Sequence, residues 1–174
     1  MRRVLLALVL GWLSVSTSFA QAPAIGDAAP VQLGKDKDGK IVDLSAYRGK
    51  LVIVTFWASW CPQCLKELPV LEALQQKVGD QWLQVIAVNV QDPNDVYRQM
   101  TRQMRGYRTL LVRDRSGDIA QAYDVRAYPN LWIIDRQGRI AARHLGYGEH
   151  SLERIVNDIQ RILREEITAA TPAG

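Results

Sequence analysis

The chain is poor in the residues that mark metal-binding or nucleic-acid-binding proteins. Its 174 residues hold only two cysteines and two histidines. Tetrahedral zinc needs four ligands, and His144 and His150 lie far along the chain from Cys61 and Cys64, so no metal site is expected. A Cys-His hydrolase would likewise need one of those histidines beside Cys61. There is no basic run, and a formal net charge of +4 is too small to argue for nucleic acid. Internal repeats and low-complexity blocks are absent, and no uninterrupted apolar run reaches the roughly twenty residues that cross a bilayer. The remaining composition, 48% hydrophobic and 23% charged, suits one globular domain whose core needs no disulfide to stand.

At the N-terminus, Met1-Arg2-Arg3 precedes an apolar stretch over residues 4–13 and a small-residue segment ending in Ser18 and Ala20. This order reads as a secretory signal peptide over residues 1–20, cut after Ala20 or Ala22. An uncleaved N-terminal membrane anchor is the alternative. No cysteine lies near the cleavage site, so lipid attachment is not expected there. Cleavage removes two arginines and no acids, which takes the formal charge from +4 to +2. The mature protein is expected in the periplasm or another exported compartment, where disulfides persist.

The two cysteines lie in Trp60-Cys61-Pro62-Gln63-Cys64. A loop this short gains little chain entropy from a cross-link, so the pair is better explained by chemistry than by stapling. Before it runs Leu51-Val52-Ile53-Val54-Thr55-Phe56-Trp57, continuously apolar apart from one threonine and rich in β-branched residues, as a strand covered on both faces reads. After it, a helix is predicted from Pro62 to Val78, with Leu65, Leu68, Leu71, Leu74 and Val78 on one side, a kink at Pro69 and a stop at Gly79.

Upstream, Asp36-Lys37-Asp38-Gly39 between apolar stretches signals an N-terminal β-hairpin. Downstream, residues 83–90 read as a buried strand. Asp92-Pro93 reads as an N-cap with proline at the first helical position, opening a helix to about Met104. A short strand over 109–112, helical turns over 118–123 and a hairpin of 131–134 with 140–145 follow. Leu152, Ile155, Val156, Ile159, Ile162 and Leu163 give the last helix a 3.6-residue stripe. Residues 167–174 read as a flexible tail. The expected fold class is α/β: a thioredoxin-like mixed sheet with helices on both faces, an N-terminal β-hairpin and an extra central helix, over residues 24–166.

Several segments together carry a family likeness: residues 54–64, Pro69, Tyr128-Pro129 before a strand, Gly26-Asp27-Ala28-Ala29-Pro30, residues 43–50 and the helix after Asp92. On these the chain resembles the TlpA/ResA branch of exported thioredoxin-like proteins, which includes the CcmG-type (DsbE) factors. The resemblance implies a cis proline at Pro129 beside the cysteines, with the Tyr128 backbone open to an extended substrate segment. Many relatives have threonine before that proline, so Tyr128 is a departure that bears on substrate preference. It also associates a glutamate at the offset of Glu67 with the active site. Cytosolic thioredoxins usually carry a buried aspartate where this chain has Thr55.

From the residues themselves, a helix N-terminus favours a thiolate at the cap, and Pro62 suits the first helical position. Cys61 is then the attacker and Cys64 the resolver of a mixed disulfide. Glu67, three residues after Cys64, opposes thiolate formation and offers a proton relay, which favours a reductant. The alternative for Glu67 is an exposed helix carboxylate beside Lys66. Trp60, Pro62, Gln63 and Tyr128 are the candidate substrate-binding residues, while Trp57 reads as core. Arg98, Arg102, Arg105 and Arg108 read as a solvated face.

The expected function is an exported thiol-disulfide oxidoreductase that reduces disulfides in exported proteins and needs no bound cofactor. Family resemblance adds apocytochrome c as a substrate and a membrane thiol transporter of the CcdA or DsbD kind as electron donor. A disulfide oxidase or isomerase, and a non-catalytic binding module with a structural disulfide, are the alternatives. A peroxidase fits less well, because it pairs a peroxide-reducing cysteine with a distant resolver.

Overall fold

The computed structural model describes residues 22–170, so residues 1–21, where the signal peptide is expected, and residues 171–174 lie outside the described residues. Seven strands form one sheet in the order β2-β1-β5-β4-β3-β6-β7. They are β1 Gln32–Asp36, β2 Ile41–Asp43, β3 Leu51–Trp57, β4 Leu83–Val90, β5 Leu110–Asp114, β6 Asn130–Ile134 and β7 Ile140–Leu145. The helices are α1 Pro62–Val78, α2 Asn94–Gln103, α3 Asp118–Ala122 and α4 Ser151–Ala170. β3, β4 and β5 run parallel, and the pairs β3·β6, β6·β7, β1·β5 and β1·β2 are antiparallel. The N-terminal hairpin therefore extends the sheet at the β5 edge. It seats there through Gly34, whose φ of +96° disfavours any side chain and whose position would set a Cβ 2.8 Å from the Arg113 carbonyl oxygen.

The central strand β3 is buried at every position, and its alternation sorts the core. Val52, Val54 and Phe56 face a cluster with Val88, Val112, Trp132 and, from α3 and its end, Ala120 and Tyr123. Leu51 and Ile53 face the other way, toward Leu71 of α1 and Ile155, Ile159 and Ile162 of α4. Trp57 continues that second face beneath the cysteines. Helices thus cover both faces, with α1 and α4 together on the side that carries the cysteine pair.

Three expectations change in detail. The buried side of α1 is Cys64, Glu67, Leu68, Leu71, Glu72 and Gln75, while Leu65 is exposed. The helix buries polar groups because each finds a partner. Glu72 accepts from the backbone N–H groups of Arg108 at 3.0 Å and Thr109 at 2.9 Å, and Gln75 Oε1 accepts from Val85 N–H at 2.7 Å. Burial alone would raise the Glu72 carboxyl, but these bonds with those from Thr109 Oγ1 and Gln76 hold it below the ordinary range. Pro69 lies inside α1 on its exposed side, and the helix continues past it to Val78. At α2 the N-cap is Pro93 rather than Asp92, whose side chain turns inward. α4 continues to Ala170, into the segment read as a tail. The four arginines at 98, 102, 105 and 108 are all exposed.

Candidate active site

β3 ends at Trp57, a turn covers residues 58–61, and α1 begins at Pro62. The turn closes through Cys61 N–H donating to the Ala58 carbonyl at 3.1 Å. Cys61 is the N-cap of α1, and its sulfur accepts from Cys64 N–H at 3.1 Å. Pro62 at the first helical position sacrifices no bond, because that N–H has no intrahelical partner. Cys61 and Cys64 are joined in a disulfide. Both are buried, on a floor of Trp57, Leu68, Ala87, Met104 and Leu111.

Glu67 sits one helical turn inward from Cys64 and is only 1% exposed. Burial pushes its carboxyl up to about 7, and a hydrogen bond from Thr55 Oγ1 at 2.7 Å, which favours the ionised form, offsets part of that rise. An exposed carboxylate beside Lys66 is therefore not what the structure contains. Thr55, itself buried in β3, is the hydroxyl that receives this acid.

The outer rim is aromatic. Trp60 is 69% exposed, and its ring meets Tyr128 edge-on at a centroid distance of 5.7 Å. Tyr128 precedes Pro129 across a cis peptide bond. Burial raises its hydroxyl, and the charges of Asp114 and Asp92 raise it further. Pro62 and Gln63 are exposed beside the disulfide, and Pro129 is buried. The structure thus brings Trp60, Cys61, Pro62, Gln63, Cys64, Glu67, Tyr128 and Pro129 into one region. His144 is turned away to Asp158 of α4 at 3.0 Å, and His150 pairs with Glu153 at 3.8 Å. Among the described residues no cluster of three or more His, Cys, Asp or Glu is arranged to hold a metal.

Sequence reasoning missed the loop after β7. Gly146 N–H donates to the Pro129 carbonyl at 2.9 Å, and Tyr147 N–H donates to Gln63 Oε1 at 3.4 Å. This loop ties Gln63, the second of the two residues between the cysteines, to Pro129. Burial raises the Tyr147 hydroxyl, and so does the nearby charge of Glu67. A run of Gly-Tyr-Gly carries no such signal in sequence. Gln63→Ala should remove the Tyr147 tie while the Gly146–Pro129 bond stays, and so speed hydrogen exchange at the Tyr147 amide more than at Gly146. Amide exchange of the oxidised protein followed by NMR checks this.

A disulfide-forming cysteine pair at a helix cap, a buried acid one turn beyond the second cysteine and an exposed aromatic rim define a thiol-disulfide oxidoreductase of thioredoxin-like fold. Residues 25–143 match the AhpC/TSA family, and the chain belongs to it. It is similar to the thiol-disulfide oxidoreductase ResA of Geobacillus thermodenitrificans, with 32% identity over 145 residues covering 80% of this chain and 83% of that protein. The ResA protein of Halalkalibacterium halodurans is 28% identical over 171 residues, with 95% of each chain covered. Among solved structures, a Chlorobium tepidum protein described as thiol:disulfide interchange protein DsbE superposes with a TM-score of 0.73 at 29% identity, covering 82% of this chain and 99% of that one.

Proposed function

We propose that this oxidoreductase works as a reductant of disulfides in exported proteins. The observation that carries the reading is Glu67, a carboxyl raised to about 7 by burial on the face of α1 that holds Cys64. An ionised group there opposes a second negative charge on sulfur. The dithiol form is then a poor store of thiolate and a good electron donor, since stabilising the reduced form is what makes a strong oxidant of this fold.

In the proposed cycle the Cys61 thiolate attacks one sulfur of the substrate disulfide, and the other substrate sulfur leaves as a thiolate that takes up a proton. Cys64 gives its proton to Glu67 and attacks the Cys61 sulfur of the mixed disulfide. The second substrate sulfur leaves, protonated from Glu67, and the Cys61–Cys64 bond forms. Two electrons pass to the substrate, and a dithiol donor must return them. Trp60, Pro62, Gln63 and Tyr128 form the substrate-facing rim, with Pro129 beside the cysteines.

The signal-like N-terminus supports an exported, periplasmic location, with an uncleaved anchor as its variant. No helix among the described residues is long and apolar enough to cross a membrane. The likeness to ResA and DsbE proteins supports apocytochrome c, through its Cys-x-x-Cys-His segment, as substrate, and a membrane thiol transporter of the CcdA or DsbD kind as electron donor.

Equilibration with glutathione tests the direction. A potential near the roughly -270 mV of thioredoxin is expected, and one near the roughly -120 mV of a strong oxidant would reverse the reading to a disulfide donor. Replacing Cys64 with Ala should trap substrates on Cys61 as mixed disulfides identifiable by mass spectrometry. A Cys61→Ser protein that still exchanges disulfides would instead indicate a binding module with a structural bridge.

A further inference from the structure

Asp92 lies just beyond the end of β4, where its sequence context suggests a helix cap. It is instead 3% exposed, with its carboxylate directed across the fold. That carboxylate accepts from Ser59 N–H at 2.8 Å, from Ser59 Oγ at 3.0 Å and from Asn89 Nδ2 at 2.6 Å. Its backbone carbonyl accepts from Arg113 Nη2 at 2.5 Å, and the same guanidinium donates to Asn94 Oδ1 at 2.9 Å and lies over the Tyr97 ring. A carboxylate this deep persists only when partnered. Asn89 from the strand supports Asp92, and both groups that it holds in turn belong to Ser59, two residues before Cys61.

We propose that Asp92 is a positioning residue for Cys61: its carboxylate clamps the turn over residues 58–61, so that the Cys61 sulfur stays at the helix terminus once the disulfide has opened. In the oxidised protein the covalent bond to Cys64 holds that sulfur in place. Reduction delivers two electrons and two protons, breaks the bond and leaves two thiols, and the turn then depends on noncovalent contacts alone. Stabilisation of a thiolate by a helix terminus fades within the first turn, so a turn that loosens forfeits it. Asp92 acts through Ser59, and the inference rests on the thiol-exchange activity without depending on its direction.

The clamp and the charge of Asp92 act in opposite senses on Cys61, and two substitutions separate them. In Asp92→Asn the amide oxygen still accepts from Ser59 N–H and Asn89, while its NH2 donates to Ser59 Oγ, so the clamp survives without the charge. Asp92→Ala loses both. The measurement is the alkylation rate of Cys61 in the reduced full-length protein as a function of pH, followed by mass spectrometry, with the fold of each variant checked by circular dichroism. The Asp92→Asn midpoint should lie at or below that of the wild type. The Asp92→Ala midpoint should lie about one unit above that of Asp92→Asn, with roughly tenfold slower alkylation at neutral pH.

Coinciding profiles for the two variants would overturn the proposal. If Asp92→Ala does not fold, Asn89→Ala removes the support beneath the carboxylate while leaving Asp92 and Ser59 in place. It should raise the midpoint in the same direction by a smaller amount, and an unmoved profile again overturns the clamp. Glutathione exchange run in parallel fails in the wild type only if the thiol-exchange reading itself is wrong, and alkylation still reads the clamp in that case.

Discussion

At pH 8 the Glu67→Gln protein, in its disulfide form, should unfold roughly 4–8 °C above the wild type, and at pH 4 roughly 2–4 °C below it. Glu67 titrates near its ordinary 4.5 when unfolded and at about 7 when folded. Between those values the unfolded chain has released the proton and the folded one has kept it, so folding stability falls as pH rises through that window and then levels off. The full difference is about 3 kcal/mol, less about 1 kcal/mol for amide N–H groups that meet no acceptor. Thermal unfolding across pH measures it, and a wild-type curve without this slope would refute it. The stabilised variant should be the poorer catalyst. With no carboxylate to take the Cys64 proton, resolution of the mixed disulfide should slow by about 10- to 100-fold and lose the inflection near pH 7.

Trp57→Ala should cost about 3–5 kcal/mol in chemical denaturation of the oxidised protein, the largest loss expected from a single substitution here. Trp57 is fully buried at the end of β3 and is the largest side chain of the floor on which Cys61 and Cys64 rest, so truncation opens a cavity under the disulfide itself. Trp57→Phe should cost far less than its lost volume suggests, because the indole N–H it removes has no acceptor among the described residues. A cost for Trp57→Ala below about 1 kcal/mol would mean that the floor collapses to fill the space.

The architecture was legible because its signals are local. A β-branched apolar run gives the central strand, Pro62 after Cys61 marks the helix start, and a 3.6-residue stripe gives α4. What could not be read were pairings across the fold. Thr55 and Glu67 are twelve residues apart, and nothing in either neighbourhood announces their bond. An apolar stripe alone would bury Leu65, yet α1 is turned so that Glu67 and Glu72 go inward, each toward a partner on another element. Asp92 before a proline satisfies a capping rule, and the same carboxylate satisfies Ser59 better in three dimensions. Only relative placement decides between two uses of one residue type. The Gly146-Tyr147-Gly148 loop was invisible for the opposite reason, since it acts through its backbone N–H groups.

The grip of Glu72 on residues 108 and 109 bears on how this protein tolerates change in chain length. α1 is fixed at two points along its length, by Glu67 on Thr55 and by Glu72 on the segment before β5. Each helical residue turns the chain by about 100°, so one residue inserted or deleted between the two anchors would bring either acid out of line with its partner. Homologous helices of this kind should therefore vary freely in sequence on the outer face and not at all in the count from Glu67 to Glu72, an interval as much a part of the site as the spacing of the cysteines.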